Sequence, residues 1–333
     1  MKATVEDIER SPSVTRRAKA LPKAPDLQIK TILVPLDFSR ASIQALKYTI
    51  PLARDFGATI HLVHVQHADE LTAIENAGGL MLSCADSIAL MQDRLNEVLP
   101  HSGRFWPDNC HVVSGTPYEE ICRLAGRIEA GLIVLPTRGL GLLKHAFLGS
   151  TAERVVRYAS CPVLIPRGNK FETITWDGPS VGARFTLRKI LAPVDFSDCS
   201  VAGVRYAARL AQRTGATLRL LHAVSRRNET LMIDSVSGDL TTVARAAKVA
   251  ARARMRQLAA MPFLQDVRSE VIVRTGTAIE EICRESGRPD IDLIVSATHG
   301  YSGFKHAWIG SVAEHVVRYA ECPVLTVPSR GAS

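Results

Sequence analysis

The 333-residue sequence lacks the features that mark a protein for a membrane, an oxidising compartment or a metal. No apolar run approaches the roughly 20 residues that span a bilayer, and the first 29 residues hold no apolar stretch typical of a secretory signal. The seven cysteines form no CxxC pair and no Cys/His spacing typical of zinc. We therefore expect a cytoplasmic protein without a membrane anchor and without a metal site formed by its own side chains.

Aromatic residues are also scarce, at 5% of a chain that is 46% hydrophobic. This composition favours an α/β protein over a β-sandwich, and the length suits two domains. The net charge is +8, but part of the basic residues lie in the expected tail and linker, which disfavours nucleic acid as a partner. Two common phosphate-binding motifs are missing, because no GxxxxGK[ST] occurs and Gly139–Leu140–Gly141 lacks the third glycine of GxGxxG.

The chain contains one long internal repeat. Residues 115–164 and 276–325 are identical at 30 of 50 positions without a gap. Alternating strand and helix patterns in each copy predict two doubly wound domains, each a five-stranded parallel sheet flanked by helices. We expect a flexible tail at 1–29, a first domain at 30–167, a linker at 168–187 and a second domain at 188–328.

Local signals predict the elements of the first domain. Ser39 is expected to cap the first helix and Gly57 to end it. The expected strands cover residues 31–36, 58–65, 110–114, 131–135 and 161–165. The expected helices cover residues 41–56, 83–99, 115–127 and 150–159.

A glycine loop follows the expected fourth strand of each domain. It has a Gly, nine residues and a Gly-Ser pair, at Gly139 to Ser150 and again at Gly300 to Ser311. We expect these glycines to adopt positive φ and let the backbone approach a ligand. The following helix should offer the N–H groups of residues 149–151 and 310–312 to an anion. The serines either cap that helix or donate a hydroxyl to phosphate.

Asp37 and Asp195 follow the first strand of each domain. If the first and fourth strands are neighbours, each carboxylate lies near the glycine loop at the carboxyl edge, where ligands bind in such sheets. A carboxylate repels phosphate but accepts from a nucleoside amine or ribose hydroxyl, so the pattern suits a nucleotide. The alternatives stay open, because Gly-Ser is common before a helix and Asp is common in turns.

With these motifs the chain resembles a tandem member of the universal stress protein family. The resemblance rests on the DFS starts, the glycine loops and the CPVL endings, and covers nearly all of the chain outside the tail and linker. It implies the strand order 3-2-1-4-5, a pseudo-dimer of the two domains, ATP binding with or without Mg²⁺, and a role in stress response or signalling. A further homodimer and an unidentified protein partner stay open.

The resemblance also implies binding residues for adenine, ribose and phosphates. In the second domain these are Asp195, Ala223, Ala297, Thr298, Gly300, Gly310, Ser311 and Val312. In the first domain they are Asp37, Val65, Gly139, Gly149, Ser150 and Thr151.

Each domain departs from the family's loop at its first glycine. This position is Pro136 in the first domain and Ala297 in the second. Because proline removes an N–H and fixes φ, we expect ATP in the second domain rather than the first. The alternatives are a nucleotide-free interaction protein and a slow ATPase, although the sequence shows no paired acid and base beside the loop.

One helix of the second domain carries a basic stripe. Arg245, Lys248, Arg252 and Arg256 recur at helical spacing. Either these residues form a solvated surface, or they face an acidic partner.

Overall fold

A computed structural model describes residues 27–66, 84–98, 109–136, 149–167, 185–225, 240–298 and 310–328. The first domain contains, in chain order, β1 (Thr31–Pro35), α1 (Arg40–Phe56), β2 (Thr59–Gln66), α2 (Cys84–Val98), β3 (Cys110–Ser114), α3 (Pro117–Arg127), β4 (Leu132–Val134), α4 (Ser150–Tyr158) and β5 (Val163–Ile165). The second contains β6 (Lys189–Pro193), α5 (Asp198–Thr214), β7 (Thr217–Val224), α6 (Leu240–Ala259), β8 (Ser269–Thr275), α7 (Ala278–Ser286), β9 (Leu293–Ala297), α8 (Ser311–Tyr319) and β10 (Val324–Val327).

The local signals of α1 act as the sequence predicts. The Ser39 hydroxyl accepts from the N–H of Ser42 at 3.2 Å, which satisfies one of the free donors of the first turn. Gly57 ends the helix with φ +64°, a left-handed conformation that glycine adopts at little cost. The helix expected from residue 115 starts later, at Pro117, because Thr116 is its extended N-cap.

All ten strands of the described chain form one sheet, in the order β3-β2-β1-β4-β5-β10-β9-β6-β7-β8. Each domain has the predicted 3-2-1-4-5 order with parallel neighbours. The domains join where β5 and β10 pair antiparallel, with Leu164 opposite Leu325. This pairing confirms the internal pseudo-dimer and covers two strand edges that would otherwise be exposed.

Helices cover both faces of the sheet. Ile32 and Val34 of β1 point into one core and Leu33 into the other, as the two-residue period of a strand requires. The first core is covered by α1, α2, α5 and α6, and the second by α3, α4, α7 and α8. Burial on both faces explains why the strands are almost continuously apolar.

Side chains also connect the two domains. The guanidinium of Arg167, directly after β5, donates to the carbonyls of Val317, Arg318 and Ala320 at the end of α8. Arg167 is only 6% exposed. A cation at this position is favourable because the free carbonyls give a helix C-terminus negative character.

The packed structure extends past the expected domain boundaries. Ile29 and Leu187 are buried, and the ring of Phe185 meets that of Tyr48 edge-on at 5.8 Å. The rest of the expected tail and linker, residues 1–26 and 168–184, lies outside the described residues. Within the residues described, no helix combines the length and the apolar character needed to cross a membrane.

Candidate functional site

A cavity of about 330 Å³ lies at the carboxyl edge of the second domain's sheet. Its walls come from the ends of β6, β7 and β9 and from the first turns of α5, α7 and α8. Because β6 and β9 are neighbours, Asp195 and the start of α8 line the same cavity. This is the topological switch point at which doubly wound sheets bind ligands.

Asp195 is held by the turn between β6 and α5. Its Oδ1 accepts from the N–H of Ser197 at 2.9 Å and from the Ser197 hydroxyl at 2.6 Å. The intervening Phe196 has φ +63°, a conformation that is costly for a bulky side chain. Asp195 therefore stabilises the turn and also lines the cavity, so its role as a turn residue does not exclude contact with a ligand.

The first domain repeats this turn at Asp37. Asp37 Oδ1 accepts from the N–H of Ser39 at 3.0 Å, and Phe38 has φ +58°. Partial burial raises the pKa of Asp37, but hydrogen bonds from Ser39 and Ser42 outweigh it and hold the pKa below its usual value. Asp37 is therefore a carboxylate at neutral pH.

A histidine beside each aspartate lines the cavity and has a fixed ring. Nδ1 of His222 lies 2.7 Å from the carbonyl of Val194. A carbonyl only accepts, so Nδ1 carries the proton, and in the neutral ring Nε2 is the acceptor. The ring contacts Phe196 at 4.5 Å between centroids, and the guanidinium of Arg254 lies 4.1 Å from the Phe196 centroid. A cation, an aromatic ring and an imidazole thus connect α6 to the cavity wall.

The same arrangement recurs in the first domain with longer distances. Nδ1 of His64 lies 2.8 Å from the carbonyl of Leu36. Arg94 of α2 lies 5.5 Å from the centroid of Phe38, which is itself 5.5 Å from that of His64.

The start of α8 forms the opposite wall of the cavity. The first intrahelical bond runs from Glu314 N–H to the Gly310 carbonyl at 2.9 Å, so the N–H groups of residues 311–313 have no acceptor within the helix. They suit an anion, as the sequence predicts. The α4 helix begins in the same way, with Glu153 N–H donating to the Gly149 carbonyl at 3.0 Å.

Three details of the glycine loop differ from the prediction. The N–H of Gly310 donates to the Thr298 carbonyl at 2.8 Å, so this donor is already used. Gly149 and Gly310 have φ −61° and −60°, not the expected positive values. They are also the N-caps, while Ser150 and Ser311 occupy the first helical positions without capping bonds. The serine hydroxyls therefore do not act as caps.

Most of the predicted residues of the second domain lie around one cavity. Those that line it are Asp195, Ala223, Ala297, Gly310, Ser311 and Val312. Thr298 is buried beyond the wall, where its N–H donates to Val327. Gly300 lies outside the described residues.

The first domain has a smaller cavity of about 260 Å³ at the equivalent place. The predicted residues that line it are Asp37, Val65, Gly149, Ser150 and Thr151. Pro136 also lines it, as Ala297 lines the other. Gly139 lies outside the described residues.

The sequence prediction missed several wall residues. The predicted binding residues do not include His64 and His222, yet both histidines line the cavities. Ile121 and Ile282, one turn into α3 and α7, form an apolar part of each wall. Their recurrence at matching positions of the repeat was the available signal. Among the described residues, no group of three His, Cys, Asp or Glu side chains could hold a metal ion.

Comparison with known proteins agrees with the fold. The universal stress protein family model matches residues 28–167 and 186–328. A universal stress protein of Methanocaldococcus jannaschii is 32% identical over 145 residues, which cover 43% of this chain and 85% of that protein. Universal stress protein E of Salmonella typhi is 41% identical over 63 residues, which cover 19% of this chain and 20% of that protein.

A solved structure shares the arrangement of both domains. A universal stress protein from Archaeoglobus fulgidus aligns with a TM-score of 0.59 over 90% of this chain and 99% of its own, at 21% identity. At this identity the likeness concerns the fold alone.

Proposed function

This chain belongs to the universal stress protein family, and we propose that it binds an adenine nucleotide, ATP in particular, in the cavity of the second domain. One observation carries the proposal. Asp195 and the first turn of α8 line the same cavity of about 330 Å³, a volume within the range of small-molecule sites. The cavity thus combines a hydrogen-bond acceptor with a group of anion-binding donors.

This polarity suits a nucleotide. The Asp195 carboxylate accepts from the adenine amine or a ribose hydroxyl, and Ala223 offers backbone beside the base. The N–H groups of residues 311–313 and the Ser311 hydroxyl donate to phosphate oxygens, which the helix dipole also favours. Mg²⁺ would arrive with the phosphates, because it commonly keeps its waters and binds through phosphate oxygens.

The same contacts favour the second domain over the first. Pro136 lines the first cavity and has no N–H to donate, whereas Ala297 keeps its N–H. The first cavity is also the smaller one. We infer one site of higher affinity per chain, with nucleotide occupancy changing the conformation or the protein partner in stress response or signalling.

Equilibrium dialysis of the full chain with labelled ATP tests the proposal. We expect about one ATP per chain, lost in Asp195→Ala but retained in Asp37→Ala, its matched control. No binding at about 1 mM ATP, an affinity worth only about 4 kcal/mol, would leave a nucleotide-free interaction protein as the better description.

A gain of binding tests the role of the proline. Pro136→Ala restores an N–H, and a hydrogen bond to a charged group contributes about 1.5–3 kcal/mol. We therefore expect the first cavity to bind ATP roughly 10- to 150-fold more tightly. Stoichiometry that stays at one in Pro136→Ala would show that the proline does not decide between the cavities. Turnover of ATP that Asp195→Ala abolishes would favour the slow ATPase.

A further inference from the structure

The two outermost helices on one face of the sheet carry opposite charge. Acidic α2 contains Asp86, Asp93 and Glu97 against one arginine, a net charge of −2 from 1 − 3. Basic α6 contains four arginines and one lysine and no Asp or Glu, a net charge of +5. They belong to different domains but cover the same core.

The acidic residues of α2 form a stripe on its outer side. Asp86, Leu90, Asp93 and Glu97 follow each other at i, i+4, i+7 and i+11, which places them on one side of a helix. All four are exposed, and Leu90 is 52% exposed although it is a large apolar side chain. The buried residues Met91 and Leu95 point the other way, into the core.

A stripe with the same spacing runs along α6. Arg245, Val249, Arg252 and Arg256 are all exposed, with Val249 at 59%. Among the described residues, no ion pair involves these three arginines. The α2 and α6 stripes therefore have the same make-up: three charges of one sign, opposite between the two helices, and one exposed large apolar residue.

We propose that a second copy of this chain docks through these surfaces, with the α6 stripe of each copy against the α2 stripe of the other. Both helices lie on one face, α2 beside the edge strand β3 and α6 beside the edge strand β8. A two-fold axis in the plane of that face brings both pairs together at once. The result is a closed dimer with a self-complementary interface.

The apolar residues favour this occupant over a polyanion. A phosphate backbone complements arginines but gives Val249 nothing to pack against. A second copy offers Leu90, so the interface gains an apolar contact between ion pairs, and charge complementarity fixes the pairing. The sequence offers two alternatives for the basic residues of α6, a solvated surface or contact with an acidic partner. Under this proposal the acidic partner is α2 of the second copy.

Sedimentation velocity of the full chain tests the proposal. We expect a dimer at about 50 mM NaCl that dissociates at about 500 mM, because salt shortens the range of exposed charges. Arg252→Glu/Arg256→Glu sets like charges against each other in both α2–α6 contacts of the dimer. It should therefore raise the dissociation constant of the dimer on the order of a hundredfold. Asp93→Arg/Glu97→Arg should do the same.

Reversing all three charges of both stripes in one chain, with Asp86, Asp93 and Glu97 changed to Arg and Arg245, Arg252 and Arg256 changed to Glu, should restore the dimer, which a loss of folding would not allow. Lys30→Glu/Arg268→Glu is the matched control, because it reverses two exposed cations that belong to neither stripe and should leave the dimer intact. A monomer at low salt and about 100 μM protein, well above a micromolar dissociation constant, overturns the proposal. So does a monomer that binds heparin through Arg252 and Arg256, since the stripe would then serve a polyanion.

Discussion

Arg167 is expected to stabilise the joint between the domains. Its guanidinium lies 2.7 Å from the Arg318 carbonyl and 3.4 Å from that of Ala320, and also donates to that of Val317. Truncation leaves three carbonyls without this donor, and a buried unsatisfied acceptor costs about 1–3 kcal/mol. The gross loss is therefore about 6 kcal/mol at the middle of that range.

Removing a buried charge offsets part of this loss in the free energy of unfolding. Burial lowers the pKa of Arg167 well below its usual value, to about 10. This shift is equivalent to about 3 kcal/mol at 1.36 kcal/mol per unit, the cost of keeping the charge in place. We therefore expect Arg167→Met, which keeps the aliphatic stem, to lower the free energy of unfolding by about 3 kcal/mol.

Urea unfolding followed by circular dichroism measures this change. Arg123→Met is the matched control, because Arg123 is exposed and its one ion pair within the described part of the chain is with Glu120 of its own helix, so its loss should cost under about 0.5 kcal/mol. If Arg167→Met proves as stable as the unmodified chain, the α8 carbonyls find other donors and the reasoning is wrong.

Two further predictions concern polar contacts away from the cavities. His61 Nδ1 lies 3.0 Å from His111 Nε2, and burial lowers the pKa of both from 6.5. As the pH falls below about 6.5, the two histidines therefore take up protons more readily in the unfolded chain than in the folded one, so the free energy of unfolding should decrease. The urea midpoints measured at pH 5.5 and 7.5 should differ less in His61→Gln than in the unmodified chain. Arg219 pairs with Glu285 at 2.6 Å, both buried, while Glu285 also pairs with the half-exposed Arg288 at 3.3 Å, so Arg219→Met should cost about 1–3 kcal/mol in urea unfolding. Arg219→Met/Glu285→Leu should recover most of that loss, and a double variant no more stable than the single one would contradict this account.

Much of the candidate site was predictable, because it belongs to a repeated pattern. The aspartate after the first strand and the Gly-Ser before the last helix line one cavity in each domain, as the adjacency of the first and fourth strands requires. The use made of individual donors was not predictable. The N–H of Gly310 is taken by Thr298, and Ser311 begins the helix without capping it. These details depend on a contact between residues 298 and 310, which are twelve positions apart, and local sequence patterns do not predict such a contact. Whether these residues bind a nucleotide stays a prediction.

The sequence by itself determined what depends on near neighbours along the chain. The strands and helices, the Ser39 cap and the Gly57 end follow from apolar periodicity and from side-chain contacts within one turn. Only the tertiary structure decided contacts between residues far apart in the chain. The antiparallel pairing of β5 with β10 makes one sheet of two, Arg167 reaches α8 of the other domain, and His222 becomes a cavity wall. The α2 and α6 stripes share a face for the same reason, because packing on a common core, not spacing in sequence, sets which surfaces a folded chain presents together.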